Sequence, residues 1–320
     1  MDKRFSVSSS PHIRSDATTQ RLMLDVIIAL VPAAFAGIYY FGIKAALLIA
    51  VTILASVGFE YITRKSLKRS NTISDLSAVV TGLLLALNLP PNLPIWMAIV
   101  GSFFAIVIVK QLFGGMGQNF VNPALAARAI LLVSYGTKMT YWSEPLAKST
   151  ESVVDAVSYA TPLGILKEGG ELPRLMDMFL GKIGGSLGET SALALILGGI
   201  YLLARGVISW HIPVIYTGTV ALIAWIMGPD GFMTGNPMFN VLAGGLLIGA
   251  IFMATDYTTS PMTKNGMAIF AVGCGVLTML FRLYTNMPEG VSYAILLMNV
   301  TTPLIDRYTK PKRFGGGAHV

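Results

Sequence analysis

The sequence predicts an all-α polytopic membrane protein, with about ten transmembrane helices arranged as two five-helix inverted repeats. Charged residues form 12% of the 320 residues and hydrophobic residues 54%, whereas soluble domains carry about 25% charged residues. Apolar runs of roughly 15 to 20 residues recur along the chain, which is typical of membrane-spanning helices. A similar apolar motif also appears once in each half of the chain.

Ten apolar segments are predicted to cross the membrane. They cover residues 22–42, 44–63, 77–89, 95–112, 121–136, 190–205, 211–228, 239–254, 266–282 and 290–306. The third, fifth and eighth segments are shorter than the roughly 20 residues that a full crossing requires. Short segments flanked by Gly or Pro often form half-helices around a binding site in membrane transporters.

The segments fall into two blocks of five. TGLLLALNLPPN, in the third segment, resembles GGLLIGAIFMATD in the eighth. Because each block contains an odd number of crossings, the second block is expected to be inverted relative to the first. The predicted divisions are a leader (1–21), a first repeat (22–136), a polar loop (137–189), a second repeat (190–306) and a tail (307–320).

The distribution of basic residues predicts the orientation. Most of the 23 Lys and Arg residues lie in segments on the same side as both termini. Cytoplasmic loops of membrane proteins are enriched in these residues. Both termini are therefore predicted to be cytoplasmic and loop 137–189 extracytoplasmic, in a bacterial or archaeal cell (inner) membrane. On this interpretation the net charge of +7 reflects topology, and nucleic acid is not an expected partner.

Cysteine and histidine are scarce. Cys274 is the one cysteine, and the three histidines are far apart in the chain. The composition excludes an internal disulfide and an iron–sulfur cluster held by cysteines of this chain. It also argues against a histidine-rich metal site.

The most informative segment is DAVSYATPLG, residues 155–164, within the polar loop. Thr161 lies outside the predicted lipid region and precedes Pro162, which stiffens the turn. A threonine in this setting is most often a simple turn residue. It is also a candidate attachment point for a cofactor.

Several motifs in the same order make the chain resemble the NqrB/RnfD family of membrane redox subunits. They are KQLFGGMGQNFVNPA, GGSLGETSAL, SWHIP, FMATDYTTSP and NVTTPLIDRYTKP. The resemblance covers nearly the whole chain. The length and the short leader look more like the D-type protein of the Rnf ferredoxin:NAD complex, RnfD, than the longer B-type protein of the sodium-pumping NADH:quinone reductase.

The resemblance implies a covalent cofactor. In these proteins the last threonine of a short motif carries FMN through a phosphoester bond. This chain matches that motif at Ser158, Ala160 and Thr161 and has Tyr159 where glycine is usual. FMN on Thr161, followed by Pro162, is therefore expected, and the expected modifying partner is a flavin transferase.

The resemblance also implies an electron-carrying role. The expected function is a membrane flavoprotein subunit of an Rnf-type complex that couples electron transfer between ferredoxin and NAD to Na⁺ or H⁺ translocation. The ferredoxin and NAD sites are expected on iron–sulfur, NADH-binding and other membrane subunits. Two alternatives stay open: a B-type subunit of the quinone reductase, and a flavin-free small-solute channel or transporter with the same inverted-repeat fold.

Two glycine-rich motifs have both a structural and a functional interpretation. In GGSLGETS, Ser186 and Glu189 have the spacing of a helix capping box, with Thr190 and Ser191 opening the sixth segment. A glycine-rich approach to a helix can also present backbone N–H groups to an anion. Gly185, Glu189 and Thr190 are therefore candidates for contacts with FMN.

The second glycine-rich motif is GGMGQNFVNP, residues 114–123. Its structural interpretation is a loop in which Asn122 caps a helix that begins at Pro123. Its functional interpretation is a second, non-covalent flavin site, for riboflavin or another flavin, or the start of a broken helix beside an ion path.

Charged residues within the apolar segments require partners. Arg128 lies in the middle of the fifth segment, where an unpaired cation costs at least about 2.5 kcal/mol, so a flavin or an acidic side chain is expected beside it. Asp256, followed by several hydroxyl residues, is the candidate for Na⁺ or H⁺ handling. Interfacial solvation is the expected state of the other acids near span ends, which are Asp25, Glu60, Asp75 and Asp306.

Overall fold

A computed structural model of the chain describes residues 18–146, 160–228, 231–285 and 290–310. The described part is helical apart from one short antiparallel pair, β1 (Met227–Gly228) and β2 (Gly231–Phe232). Three helices are long and apolar enough to cross a membrane by themselves, and five shorter apolar helices accompany them. The prediction of an all-α polytopic membrane protein is confirmed.

Each predicted segment of the first half contains a helix. The helices are α1 (Thr19–Phe41), α2 (Ile43–Ser66), α3 (Ser77–Leu87), α4 (Ile95–Phe103), α5 (Pro123–Ser134) and a short α6 (Gly136–Met139). A 3₁₀ turn, Ile73–Asp75, precedes α3, and α4 continues as a π-helix over Phe104–Gln111.

The polar loop and the second half supply the other helices. They are α7 (Pro162–Glu168), α8 (Leu175–Leu180), α9 (Ala192–Ala204), α10 (His211–Ile226), α11 (Pro237–Leu242), α12 (Leu246–Ile248), α13 (Lys264–Tyr284) and α14 (Val291–Thr309). A π-helix over Gly249–Met253 follows α12.

The eighth predicted segment, 239–254, is not one helix. α11 ends at Leu242, and Gly244 and Gly245 both have φ of +66°, so the chain changes direction before α12. A left-handed backbone is readily accessible only to glycine. The Gly-Gly pair therefore divides this span into two pieces, as in the broken helices of transporters.

The bundle has two ends with different character. Thr263 bonds Thr309, and Met262 donates to Asp306, so the start of α13 lies beside the end of α14. At the opposite end, the Tyr40 hydroxyl donates to the carbonyl of Leu180. We call these the basic end, which holds Thr19 and Thr309, and the loop end, which holds α7 and α8.

The two halves pack in a similar order. In the first half, α2 contacts α3 and α4, and α4 contacts α5. In the second half, α10 contacts α11 and α13, and α13 contacts α14. This order is that expected of a repeat, while the inversion of one half relative to the other stays a prediction.

Candidate functional site

Thr161 is the N-cap of α7 at the loop end. Its Oγ1 accepts a hydrogen bond of 3.2 Å from the Gly164 N–H, and Pro162 is the first residue of the helix. The residue is 7% exposed. Ala160 lies directly before it and is partly buried, whereas Ser158 lies outside the described residues. Threonine caps a helix in this way because its oxygen satisfies a free backbone N–H.

The loop end has a small apolar core of its own. It consists of Leu163, Met178, Ile183, Phe239 and Ala243, with Leu166 and Leu242 packed against it. The Lys167 ammonium also donates to the carbonyl of Thr285. The apolar core attaches α7, which Thr161 caps, to α11, the first piece of the broken span, and the Lys167 bond attaches it to the end of α13.

The Gly-Gly break lies between two candidate site segments. A Cβ on Gly244 would come within 2.3 Å of Leu163 Cδ1, and a Cβ on Gly245 would come within 2.5 Å of Glu189 Oε1. Both glycines are therefore required by contact as well as by backbone conformation. The Thr161 segment and the GGSLGETS turn meet at this break.

Substitution of Gly244 by Ala is expected to destabilise the protein by about 1–2 kcal/mol through the left-handed backbone alone, with a further loss from contact with Leu163. Gly58 lies in α2 with nothing within 4 Å of its Cβ position, so Gly58→Ala is the matched control and is expected to stabilise. Thermal midpoints in detergent measure both. The double variant Gly244→Ala/Leu163→Ala should regain the part of the stability that Gly244→Ala loses through contact with Leu163. An unchanged thermal midpoint in Gly244→Ala would contradict the prediction.

Arg282 holds the first piece of the broken span in place. Its guanidinium donates to the carbonyls of Asn240 at 2.6 Å and Ala243 at 2.7 Å. Carbonyl groups at the end of a helix lack partners within the helix. A cationic side chain from α13 therefore satisfies the end of α11, and the sequence analysis did not single it out.

Arg128 and Glu189 lie together, with Arg128 Nη2 4.0 Å from Glu189 Oε1 and both side chains buried. Arg128 Nη1 also donates to the Ser292 hydroxyl at 2.6 Å. An acidic partner for Arg128 was one of the two predicted alternatives, and the structure supplies it. Two residues predicted separately as flavin contacts are thus partners of each other.

The capping prediction for GGSLGETS is wrong in detail. Ser191 is the N-cap of α9, its Oγ accepting from Ala194 N, and the helix begins at Ala192. Glu189 Oε2 accepts from Ser186 N at 3.4 Å, which closes a turn ahead of the helix. The turn is also fixed by bonds from Leu187 and Gly188 N–H to the last carbonyls of the α3 segment. Gly185 and Thr190 are buried in this turn.

A cavity of about 280 Å³ opens towards the basic end. Its apolar wall includes Leu22, Met23, Val26, Leu84 and Phe252, and its polar wall includes Lys110, Asn119, Asn122, Asp256 and Thr258. Sites for small molecules combine a mostly apolar lining with a few polar groups and begin at about 300 Å³. The cavity is thus close to the lower size limit of such sites.

The GGMGQNFVNP loop contributes to the cavity wall. Asn122 Oδ1 accepts from the N–H groups of Ala124 and Leu125, which confirms the predicted cap of the helix beginning at Pro123. Asn119 Nδ2 donates to Val121 O at 3.1 Å and to Thr258 Oγ1 at 2.9 Å. The loop therefore has both its predicted structural role and a position beside a ligand-sized space.

Asp256 lies on the wall of this cavity. Its carboxylate accepts hydrogen bonds from Thr258 N and from the hydroxyls of Thr258 and Thr259. Burial raises the pKa of Asp256 above its ordinary value, while those hydrogen bonds and the charge of Lys110 partly oppose the rise. Among the described residues no group of three His, Cys, Asp or Glu side chains is placed to hold a metal ion.

The raised pKa of Asp256 predicts a pH effect. The folded state holds this proton more tightly than the unfolded state, so the stabilisation by protonation is complete below the ordinary pKa of 3.8 and is lost as pH rises through the folded-state pKa. The stability of the wild type relative to Asp256→Asn should therefore fall across that window. Thermal midpoints over a pH series measure it.

Thr258→Val is the companion variant, because it removes a hydrogen bond that lowers the pKa of Asp256. The window in which stability is lost should shift to higher pH in this variant. A stability difference between wild type and Asp256→Asn that is constant with pH would contradict the predicted shift.

One buried cluster was missed by the sequence analysis. Glu60 was expected at an interface but is 1% exposed, and its Oε2 lies 2.9 Å from Lys110 Nζ. Lys110 also donates to Ser77 Oγ, and Thr72 donates to Glu60 Oε1. Thr52, Ser56 and Glu60 recur at intervals of four on α2, and all three are buried. This spacing of polar residues could have indicated the cluster, because residues four apart share one face of a helix.

Comparison with known proteins defines the class of protein. Residues 6–315 match the NQR2, RnfD, RnfE family. The chain is similar to the D-type protein of the Na⁺-translocating ferredoxin:NAD⁺ oxidoreductase complex of Acetobacterium woodii, at 51% identity, covering 97% of this chain and 95% of the relative.

Two further relatives are D-type proteins of such complexes. The chain is 49% identical to that of the proton-translocating ferredoxin:NAD⁺ oxidoreductase complex of Clostridium ljungdahlii, over 97% of this chain and 96% of that protein. It is 41% identical to that of the ion-translocating oxidoreductase complex of Stutzerimonas stutzeri, over 94% of each chain. This chain belongs to the NQR2, RnfD, RnfE family, and the family predicted from its motifs is confirmed.

Proposed function

We propose that this chain is the D-type membrane subunit of an ion-translocating ferredoxin:NAD⁺ oxidoreductase. Family membership and relatives with this name support the assignment. The oxidoreductase family favours electron transfer over a flavin-free channel or transporter. The D-type names favour it over a B-type quinone-reductase subunit. The partners are other subunits of that complex, in the cell membrane of a bacterium or archaeon with both termini cytoplasmic.

The proposal includes FMN on Thr161 through a phosphoester bond, formed by a flavin transferase. The observation that carries this part is the position of Thr161, the N-cap of a helix packed against the broken span. An ester oxygen retains a lone pair, so it can still accept the Gly164 N–H. FMN supplies one- and two-electron redox chemistry, and the protein contributes its position and its surroundings.

The residues around Thr161 couple its position to the bundle interior. The Leu163 side chain packs against Gly244 of the broken span, and the Glu189 side chain packs against Gly245 of the same break. Glu189 is paired with Arg128 on α5. A displacement of α7 therefore has a contiguous route of packed groups into both halves, and chains of packed groups of this kind can carry coupling between distant sites.

A second, non-covalent flavin such as riboflavin is proposed for the cavity at the basic end. The apolar wall suits a flat ring, and the Asn119 amide and the hydroxyl of Thr258 offer polar contacts. Asp256 on the same wall is proposed to handle Na⁺ or H⁺. The relatives with 51% and 49% identity are named for different ions, so overall identity does not select between them.

Mass spectrometry of the Thr161 peptide from native membranes tests the proposed linkage. The expected result is a peptide carrying the mass of FMN less one water, localised to Thr161 by fragmentation. An unmodified Thr161 peptide as the sole form would overturn the covalent flavin. Copurification with cysteine-rich iron–sulfur subunits, rather than quinone-reductase subunits, tests the assignment to the ferredoxin:NAD⁺ complex.

A further inference from the structure

The loop after the π-helix turns beside the end of α2 at the basic end. Arg64 Nε donates to Ser70 O at 2.9 Å, and Arg69 Nη1 donates to Gln111 O at 3.0 Å. Gly115 follows in the loop with φ of +104°. These bonds fix the Arg64 guanidinium to the segment after α2 and the Arg69 guanidinium to the backbone of the last π-helix residue.

Several polar atoms in this region have no hydrogen-bond partner within the described part of the chain. They are Nη1 of Arg64 and both Nε2 and Oε1 of Gln111, all of them buried. Gln111 itself is 0% exposed. An unsatisfied buried polar group costs about 1–3 kcal/mol, so an orphaned amide beside an orphaned guanidinium nitrogen points to a missing partner.

Two of the orphaned atoms, Arg64 Nη1 and Gln111 Oε1, lie beside Gly115. A Cβ built on Gly115 would lie 3.5 Å from Arg64 Nη1 and 3.7 Å from Gln111 Oε1. Because glycine has no side chain, no Cβ lies between these groups and the turn. The Arg64 guanidinium beside it is a donor that can bind an oxyanion in a fixed fork. The Gln111 amide presents its Oε1, an acceptor, at this point and carries one orphaned donor, Nε2.

The charge around this niche is strongly positive. Arg64 and Lys65 lie in the last turn of α2, and Lys68 and Arg69 follow it. The described structure places no carboxylate within ion-pair distance of any of them. Leu112 and Phe113 are exposed beside the niche, and the Phe113 ring contacts Phe120 at 4.9 Å. A basic cluster next to a membrane helix with apolar neighbours is typical of anionic headgroup recognition.

We propose that Arg64, Arg69, Gln111 and Gly115 form a phosphate-binding niche at the basic end of α2. The ligand is a phosphate group, carried either by an anionic phospholipid or by a soluble phosphate compound. Arg64 Nη1 and Gln111 Nε2 donate to the phosphate oxygens. The exposed Leu112 and Phe113 contact the apolar part of a lipid where the phosphate belongs to one. This site is independent of the proposed flavin.

The test uses the full chain in nanodiscs and distinguishes the two sources. One arm compares phosphatidylcholine discs with discs that also contain phosphatidylglycerol, and the other adds inorganic phosphate to phosphatidylcholine discs. The readouts are the thermal midpoint and the phospholipid retained in native mass spectrometry. A rise in the thermal midpoint with phosphatidylglycerol identifies a lipid as the source of the phosphate. A rise in the midpoint with inorganic phosphate identifies a soluble source. No response in either arm overturns the proposal.

Variants localise the response. Arg64→Gln should weaken the effective affinity at least about tenfold, because a hydrogen bond to a charged group is lost. Lys264→Gln is the matched control, since Lys264 is exposed at the same end, and it should respond like the wild type. An equal loss of the response in Lys264→Gln would show that the response depends on general surface charge, and it would overturn the proposed niche.

Gln111→Leu provides a second test that changes no charge. Without a ligand, removal of two orphaned amide atoms should raise the midpoint of this variant above that of the wild type. With phosphate present, the variant should show a response reduced at least about threefold, because one donor is gone. A full wild-type response in Gln111→Leu, with Arg64→Gln also responding normally or failing to fold, would overturn the proposal.

Discussion

Replacement of Thr161 by Asn is expected to abolish covalent flavin while leaving the fold intact. Asparagine has no hydroxyl to esterify, but its Oδ1 caps a helix at least as well as threonine, so the bond from Gly164 N–H is kept. The measurement is yellow-green fluorescence of the chain on a denaturing gel under ultraviolet light, from a host that attaches flavin. The band should be absent in Thr161→Asn and retained in Thr161→Ser.

Two comparisons separate cofactor loss from misfolding. Thr161→Val removes both the hydroxyl and the helix cap. It should therefore lose the flavin and also lower the stability of the protein by about 1 kcal/mol. Thr263→Val removes a comparable threonine cap at the start of α13, where Oγ1 accepts from Gly266 N at 3.0 Å, and should keep its fluorescence. A fluorescent Thr161→Asn band would place the flavin on another residue.

Among the variants considered, replacement of Lys110 is expected to give the largest loss of stability. Lys110→Met would leave the buried Glu60 carboxylate without its cation, and breaking a buried ion pair from one side costs about 3–5 kcal/mol. The thermal midpoint in detergent should fall sharply. The double variant Lys110→Met/Glu60→Leu should recover most of the loss, because no unpaired charge remains buried.

The matched control is the ion pair at the start of α1. Arg205 Nη2 lies 3.4 Å from Asp25 Oδ2, but the Arg205 side chain is 41% exposed. Arg205→Met should therefore cost much less than Lys110→Met, because the exposed cation is solvated and the buried Asp25 carboxylate keeps its hydrogen bond from Tyr201. Equal losses of stability in Lys110→Met and Arg205→Met would contradict the prediction that burial makes the Lys110–Glu60 pair the more important one. A double variant no more stable than Lys110→Met would also contradict it.

The spans were predictable because each is an apolar run interrupted by polar or Gly/Pro residues. Ends fixed by a local cap, such as Asn122 before Pro123, came from neighbouring residues alone. The break at Gly244 and Gly245 was not placed, although the eighth segment was recognised as short. Apolar residues continue on both sides of the pair, and its conformation depends on contacts with Leu163 and Glu189.

The contacts among the candidate site residues could not be predicted from the sequence. The Arg128–Glu189 pair joins residues in different halves of the chain, and no local spacing specifies such a pair. The acidic residues show the same limit. Glu60 and Asp256 both lie near span ends in the sequence, and only the packing of other helices buries Glu60 against Lys110.

The enclosure of Thr161 constrains when the proposed modification would take place. With 7% of the residue exposed, and the helix that follows anchored by Leu163 and Lys167, an enzyme has little access to the hydroxyl of the finished bundle. If Thr161 carries the proposed FMN, attachment is expected before α7 docks against α11, or during a transient opening of that contact. Maturation of the protein would then be ordered, with the cofactor installed before the surrounding helix locks.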